Sequence, residues 1–300
     1  MVVFSRVLSI FILVVVGFAA RKSKILDGPM VKGLAGLILN VAIPFTIIAS
    51  FDRSIPSSAM PDLLRMALWA VAIHAFGILF SWALYRNMSV AERKVLTYIT
   101  VFSNCGFMGF PVTESVFGKI GVMYASIFVI IFQIFIWTYG IYLFSGRSGK
   151  DQLMRAIINP GNISVVIGLT IWLLPFSLPD ALTTAISNLS NLTTPLSMIV
   201  VGATLAEMPI KGILKGGVLW FGTAIRLIAM PLAVFGIMSL FGFHDLPAKV
   251  AVFLAAMPAA AQTVIFAERY QADVSLASRI VFLTTVFSAI TIPIFALFLV

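Results

Sequence analysis

From residue 3 to residue 299 the chain is a succession of apolar runs joined by short polar links. The runs lie near 3–20, 34–51, 64–85, 95–115, 120–144, 156–175, 188–206, 213–242, 248–267 and 276–299. A helix that crosses the hydrocarbon core of a bilayer needs about 17 to 25 such residues. With 61% hydrophobic and 10% charged residues, the chain carries more apolar surface than a soluble core of 300 residues can bury. The sequence therefore predicts an all-α membrane protein of ten transmembrane helices, forming one membrane domain over residues 1–300. Basic residues at 21–24 follow the first run and no small-residue cleavage site precedes them, so that run is expected to stay in place as a span.

The basic residues set the expected orientation. With the N-terminus outside, Arg21, Lys22, Lys24, Lys32, Arg86, Arg93, Lys94, Arg147, Lys150, Arg155, Lys211, Lys215, Arg269 and Arg279 all fall on the cytoplasmic side. Arg6, Arg53, Arg65, Lys119 and Lys249 fall opposite, and Arg226 lies inside the eighth run. Cytoplasmic loops of membrane proteins are enriched in Lys and Arg, so both termini are predicted outside. Topology thus accounts for the net charge of +9, and no basic cluster outside the short loops points to nucleic acid. Short loops suit a bacterial inner (cytoplasmic) membrane, and the link at about 145–155 reads as a linker between halves.

Two runs are interrupted by helix-disrupting residues: SNCGFMGFP at 103–111 and AAMPAAAQT at 255–263. Interrupted backbone is tolerated at membrane depth only where it is buried in protein or lines a polar cavity. Paired interruptions at corresponding places in two halves therefore point to a transport site. The halves do correspond. Gly17 and Gly168, Asn40 and Asn191, and Pro44 and Pro195 are each 151 positions apart, and a later shift to 147 pairs Pro111 with Pro258. Five spans per half is an odd number, so two copies would insert in opposite directions. That gives an inverted repeat, with one half at about 1–145 and the other at about 156–300.

These residues resemble the auxin efflux carrier family, which includes the plant PIN-type auxin exporters and bacterial carriers of malonate and malate. The resemblance rests on Asn104 with Gly109 and Pro111, on QIFIW at 133–137, and on NPGNISVVIGLTIWL at 159–173. It rests further on Arg226 with Pro231 and on MPAAAQTVIFAERY at 257–270. It implies two inverted five-helix repeats whose broken fourth and ninth helices cross, a fold similar to sodium/proton antiporters and bile-acid symporters. It also implies an elevator-like motion of one bundle against a scaffold that dimerises. The long cytoplasmic loop of the plant members is missing, and their third-span acid and lysine pair is matched only by Asp62 and Arg65, so auxin is not carried over as substrate.

Half-helix N-termini at a crossing carry unpaired N–H groups and a partial positive charge, which makes a small organic anion, a carboxylate, the expected guest. Asn104 is the first expected ligand because its amide both donates and accepts. Gly106 and Gly109 permit close backbone approach, and Pro111 and Pro258 are expected to cause the interruptions. Gln133 and Gln262 are expected to line the same cavity. Arg226 is expected either to snorkel to the interface or to face the anion. Asn40, Pro44, Asn191 and Pro195 are expected to shape the scaffold wall, each Asn bonding a carbonyl its proline leaves free. His74 reads as a core histidine, His244 as a loop residue and Cys105 as a small buried side chain.

The carboxylates all fall in loops or near span ends, with Glu114 and Asp62 closest to the interior, which argues against coupling through a deep acid. Neither a metal nor an organic cofactor is expected, and no enzyme motif such as HExxH stands in a suitable context. The expected function is a secondary active or facilitative transporter. A sodium-coupled symporter of bile-acid type is the alternative within carriers, and a channel or sensor the alternative outside them.

Overall fold

A computed structural model describes residues 2–52, 54–146, 154, 157–173, 178–208 and 214–299. Arg53, Arg147, Lys150, Arg155 and Lys211, five of the basic residues that set the expected orientation, and most of the expected linker at 145–155, lie outside the described residues. Eleven helical stretches order the described chain: α1 (Val2–Lys22), α2 (Gly28–Ser50), α3 (Ser57–Tyr85), α4 (Val90–Val101) and α5 (Gly109–Ser145), then α6 (Pro160–Leu173), α7 (Asp180–Glu207), α8 (Gly217–Leu240), α9 (Leu246–Ala255), α10 (Gln262–Arg269) and α11 (Val274–Leu299). Six of them, α2, α3, α5, α7, α8 and α11, are long and apolar enough to cross a membrane, and α6 and α9 are shorter apolar helices. No strand occurs among the described residues, only an isolated antiparallel bridge between Ser103 and Ala259.

The helix starts follow local chemistry. Asp27 accepts from the Met30 N–H with Pro29 in the first turn of α2, and Asp245 does the same for Ala248 with Pro247 at the start of α9. Ser89 caps α4, accepting from the Glu92 N–H while its hydroxyl bonds the Glu92 carboxylate. Two prolines inside long helices are accommodated by wide π-turns. Ile38–Ala42 precedes Pro44 in α2, and Ile225–Ala229 precedes Pro231 in α8. Each turn absorbs one extra residue where the proline ring would clash with the preceding turn. At Gly118 (φ 66°, ψ −161°) α5 turns a corner that a side chain would forbid.

Two packed groups of helices result. In one, α1 lies along α7, and α2 packs against α6 and α7. Their backbones approach so closely that a Cβ on Gly17 would stand 2.2 Å from the Ile199 carbonyl oxygen, and one on Gly202 only 1.9 Å from that of Val14. A second close approach puts Gly168 of α6 against the Phe51 ring, 2.4 Å from its would-be Cβ. Between α2 and α7, Thr46 Oγ1 reaches Thr193 Oγ1 at 2.7 Å and the Ser190 carbonyl at 3.2 Å. The other group is built by α3, α4, α5 and α9, which pack on one another.

Candidate functional site

The chain leaves helical geometry after α4 and again after α9, and the two linkers, 102–108 and 256–261, meet. Ser103 lies opposite Ala259. The Asn104 N–H donates to the Pro258 carbonyl at 2.8 Å, and the Ala260 N–H donates to the Phe102 carbonyl at 3.2 Å. The Asn104 carbonyl then accepts from Gly109 at 3.0 Å, and Thr284 Oγ1 accepts from the Ala259 N–H at 3.2 Å. These bonds supply the partners that the interruptions remove from the helical ladder, which is the requirement for irregular backbone in an apolar medium.

Two side chains at this crossing stand apart. Asn104 is 6% exposed, yet its amide has no hydrogen-bond partner among the described residues. Neither polar atom of this amide is among the fully enclosed, unpartnered ones, so it meets solvent at the crossing and its donor and acceptor stay available to a guest. Arg226, in the π-turn of α8, is 1% exposed. Its Nε donates to the Met257 carbonyl at 3.1 Å and its Nη1 to those of Ile99 and Thr100 at 3.3 and 2.9 Å, while its Nη2 bonds the Ala255 carbonyl. One guanidinium thus caps the C-terminal ends of both α4 and α9. In this structure Arg226 neither snorkels nor faces an open site.

A cavity of about 360 Å³ opens between the two helix groups, and no residue of the two linkers at the crossing is on its wall. Thr46 and Ser50 of α2, Ser187 and Asn191 of α7, and Glu114 and Lys119 of α5 lie on its wall. Asp52 and Asp180 also line it, so three carboxylates face one ammonium. Lys119 Nζ bonds Asp52 Oδ2 at 2.6 Å and ties the two groups together at the rim. That bond, helped by the Ser54 N–H, holds the Asp52 carboxyl at about 2. Its contribution is full above the ordinary carboxylate range near 3.8 and is lost only as the pH falls through about 2.

A family model described as a membrane transport protein matches residues 2–296. The chain belongs to the auxin efflux carrier family of membrane transport proteins. An uncharacterized transporter of Methanothermobacter thermautotrophicus is 28% identical to it over 98% of this chain and 97% of the relative. The uncharacterized transporter MJ1031 of Methanocaldococcus jannaschii is 26% identical over 95% of each chain. A Rhizobium meliloti protein named "Putative malonate transporter" is 22% identical over 95% of this chain and 92% of its own. The family and these relatives are transporters, not enzymes.

In this transporter the expected site residues separate. Asn104, Gly106 and Pro258 lie in the linkers at the crossing, and Gly109 and Gln262 are the first residues of the helices that follow, α5 and α10. Gln262 is half-buried and its side chain has no hydrogen-bond partner among the described residues. Gln133, farther along α5, accepts from Trp137 Nε1 at 3.2 Å. Asn191 lines the cavity, whereas Asn40 bonds the Gly36 carbonyl at 2.8 Å, one turn before itself, rather than a carbonyl freed by Pro44.

Pro111 and Pro258 are not structural counterparts. Pro111 sits in the first turn of α5, where its missing N–H costs little, and Pro258 sits inside a linker. Pro44 and Pro195 each follow a local irregularity, the π-turn in α2 and the turn at 191–192 in α7. His74 is a core residue: its Nδ1 faces the Ala70 carbonyl at 2.6 Å and its ring stacks on Phe135 at 4.9 Å. Sequence reasoning missed Thr46 and Ser187, and it placed Glu114 only near the membrane interior and Lys119 only among the basic residues of the opposite side. Short polar residues are common in membrane helices, and nothing local tells a cavity from a packing surface.

Proposed function

We propose that this protein is a carrier of small organic anions, carboxylates foremost, that exposes the crossing alternately to the two sides of the membrane by an elevator-like motion. The observation that carries the reading is the Asn104 amide, buried and unpartnered where two interrupted helices bond centre to centre. The N-terminal turns of α5 and α10 begin beside it and favour negative charge. In this reading α4 with the first part of α5, and α9 with α10, are the broken fourth and ninth of ten spans, with both termini outside an inner membrane.

Paired contacts support an inverted repeat within one domain. Gly17 packs on α7 near Gly202, and Gly168 packs on Phe51. Adding 151 to Gly17 and Phe51 gives Gly168 and Gly202, so each contact maps onto the other. The division into two packed groups with a cavity between them supports a scaffold of α1, α2, α6 and α7 and a moving bundle built on α3, α4, α5 and α9. The relative named for malonate favours a dicarboxylate. Family membership favours a homodimer, which the mass of the purified protein in detergent tests.

The excess of carboxylates on the cavity wall favours a second reading, a sodium-coupled symporter whose vestibule attracts cations. Counterflow of labelled mono- and dicarboxylates in proteoliposomes, with and without sodium and pH gradients, tests both. Saturable counterflow without either gradient is the expected result. Strict dependence on a sodium gradient selects the symporter, and flux of no carboxylate sinks the anion reading.

Access to the cavity is measurable separately. Cys105 is fully buried and is the chain's one cysteine, so Ser187→Cys gives a clean label. A membrane-impermeant maleimide is expected to modify it from outside, at rates that agree at pH 5 and pH 8 once the thiolate fraction is allowed for, because the Asp52 carboxylate stays ionised across that window. Adding Lys119→Ala speeds labelling at both pH values. Labelling that Lys119→Ala fails to speed at either pH contradicts the rim assignment.

A further inference from the structure

We propose that Arg226 is the crossing's own resident cation, seated on the carbonyl ends where a coupling sodium ion would coordinate, so that the crossing itself takes no sodium. The inference rests on the carrier reading for its consequence, sodium-independent transport, but its chemistry stands on the geometry alone. Two helices end at the crossing, and each C-terminus carries a partial negative charge of about half an electron together with carbonyls that no later N–H can reach. Carriers built on interrupted helices use such unwound carbonyls and half-helix C-termini to hold Na⁺.

Here the same class of oxygen is already engaged. Ile99 and Thr100 at the end of α4, with Ala255 and Met257 at the end of α9, all accept from one side chain. The guanidinium is 1% exposed, and none of these four bonds goes to a carboxylate. Its charge is therefore balanced by helix ends, the role a bound metal ion would otherwise fill. A sodium ion entering this position would have to displace those bonds and sit beside a like charge that water does not screen. A guanidinium also keeps its proton at physiological pH, so the site does not load and unload protons. Its fixed fork of donors reaches two helices at once, which the single ammonium of a lysine does less completely.

Thermal unfolding of the purified protein tests this without knowledge of the substrate. The wild-type midpoint is expected to be the same in sodium chloride as in N-methyl-D-glucamine chloride at equal ionic strength. Arg226→Ala leaves the carbonyls bare. It is expected to unfold earlier and to regain about 5 °C selectively with sodium or with millimolar guanidinium, a mass-action shift absent with N-methyl-D-glucamine. A saturable sodium-specific rise in the wild type overturns the proposal, as does a folded Arg226→Ala protein indifferent to both cations. Should Arg226→Ala not fold, Arg226→Lys decides together with the wild type. Sodium indifference in both supports the resident cation, and a sodium-specific rise in either overturns it. Failure of the anion-carrier reading would show as absent malonate counterflow and would leave these midpoints unchanged, so the two failures are distinguishable.

Discussion

Asn104→Ala abolishes transport and leaves the protein about as stable as before. The two halves of that expectation come from the same observation. The Asn104 backbone is satisfied on both sides, by the Pro258 carbonyl and by the Gly109 N–H, whereas its side-chain amide bonds nothing among the described residues. Truncating it removes no internal hydrogen bond, so the fold loses none of the roughly 0.5–1.5 kcal/mol that such a bond contributes. Removing one hydrogen bond to a charged guest, by contrast, costs about 1.5–3 kcal/mol, roughly ten- to a hundredfold in affinity, and two such bonds compound. Counterflow of a labelled dicarboxylate and thermal unfolding, measured on the same preparation, check both halves. A variant that transports normally removes Asn104 from the site, and one that unfolds sharply earlier assigns the amide to structure.

The interruptions were legible in the sequence because glycine and proline break helices wherever they fall, and SNCGFMGFP and AAMPAAAQT each concentrate breakers within an apolar run. Their pairing was not legible. Ser103 meets Ala259 across more than 150 residues, and no local pattern specifies which linker residue faces which. The proline register misled for the same reason: Pro111 belongs to a helix start and Pro258 to a linker. Arg226 had a usable signal. A charge within a span needs a partner, and with no deep carboxylate in the chain the remaining acceptors are carbonyls that interrupted helices leave free. The long apolar helices could be read from run length, since that is what the bilayer selects. The cavity wall could not, because α2, α5 and α7 come together only in three dimensions.

Gly202→Ala is expected to cost the fold more than any other single methyl group, with Gly17→Ala close behind. At both positions the added carbon lands on backbone, 1.9 Å from the Val14 oxygen and 2.2 Å from the Ile199 oxygen, and only separating α1 from α7 relieves the contact. Overpacking of this kind typically costs about 1–3 kcal/mol, and here no rotamer change is available to soften it. Gly168→Ala makes the useful control, since its carbon meets the Phe51 side chain at 2.4 Å, and a ring can rotate where a peptide cannot. The expected order of unfolding midpoints is wild type, then Gly168→Ala, then Gly17→Ala, with Gly202→Ala lowest. Equal midpoints for Gly202→Ala and the wild type would show that α1 and α7 do not pack as described.

In the proposed carrier, the Lys119–Asp52 bond at the rim also bears on the resting balance between its two forms. In a perfectly duplicated chain of opposed halves, the outward and inward forms are images of one another and equally populated. Advancing Asp52 by 151 positions reaches Ala203, and advancing Lys119 by the 153 that separate Gly109 from Gln262, the first residues after the two interruptions, reaches Ala272. Neither alanine can form an ion pair, so this contact has no image in the opposite form. An exposed ion pair contributes about 0.2–1 kcal/mol, which tips a two-state balance by up to roughly fivefold. In the proposed alternating cycle, the idle protein is therefore expected to wait with its mouth toward the Asp52 side, and its first move to be the release of that lysine.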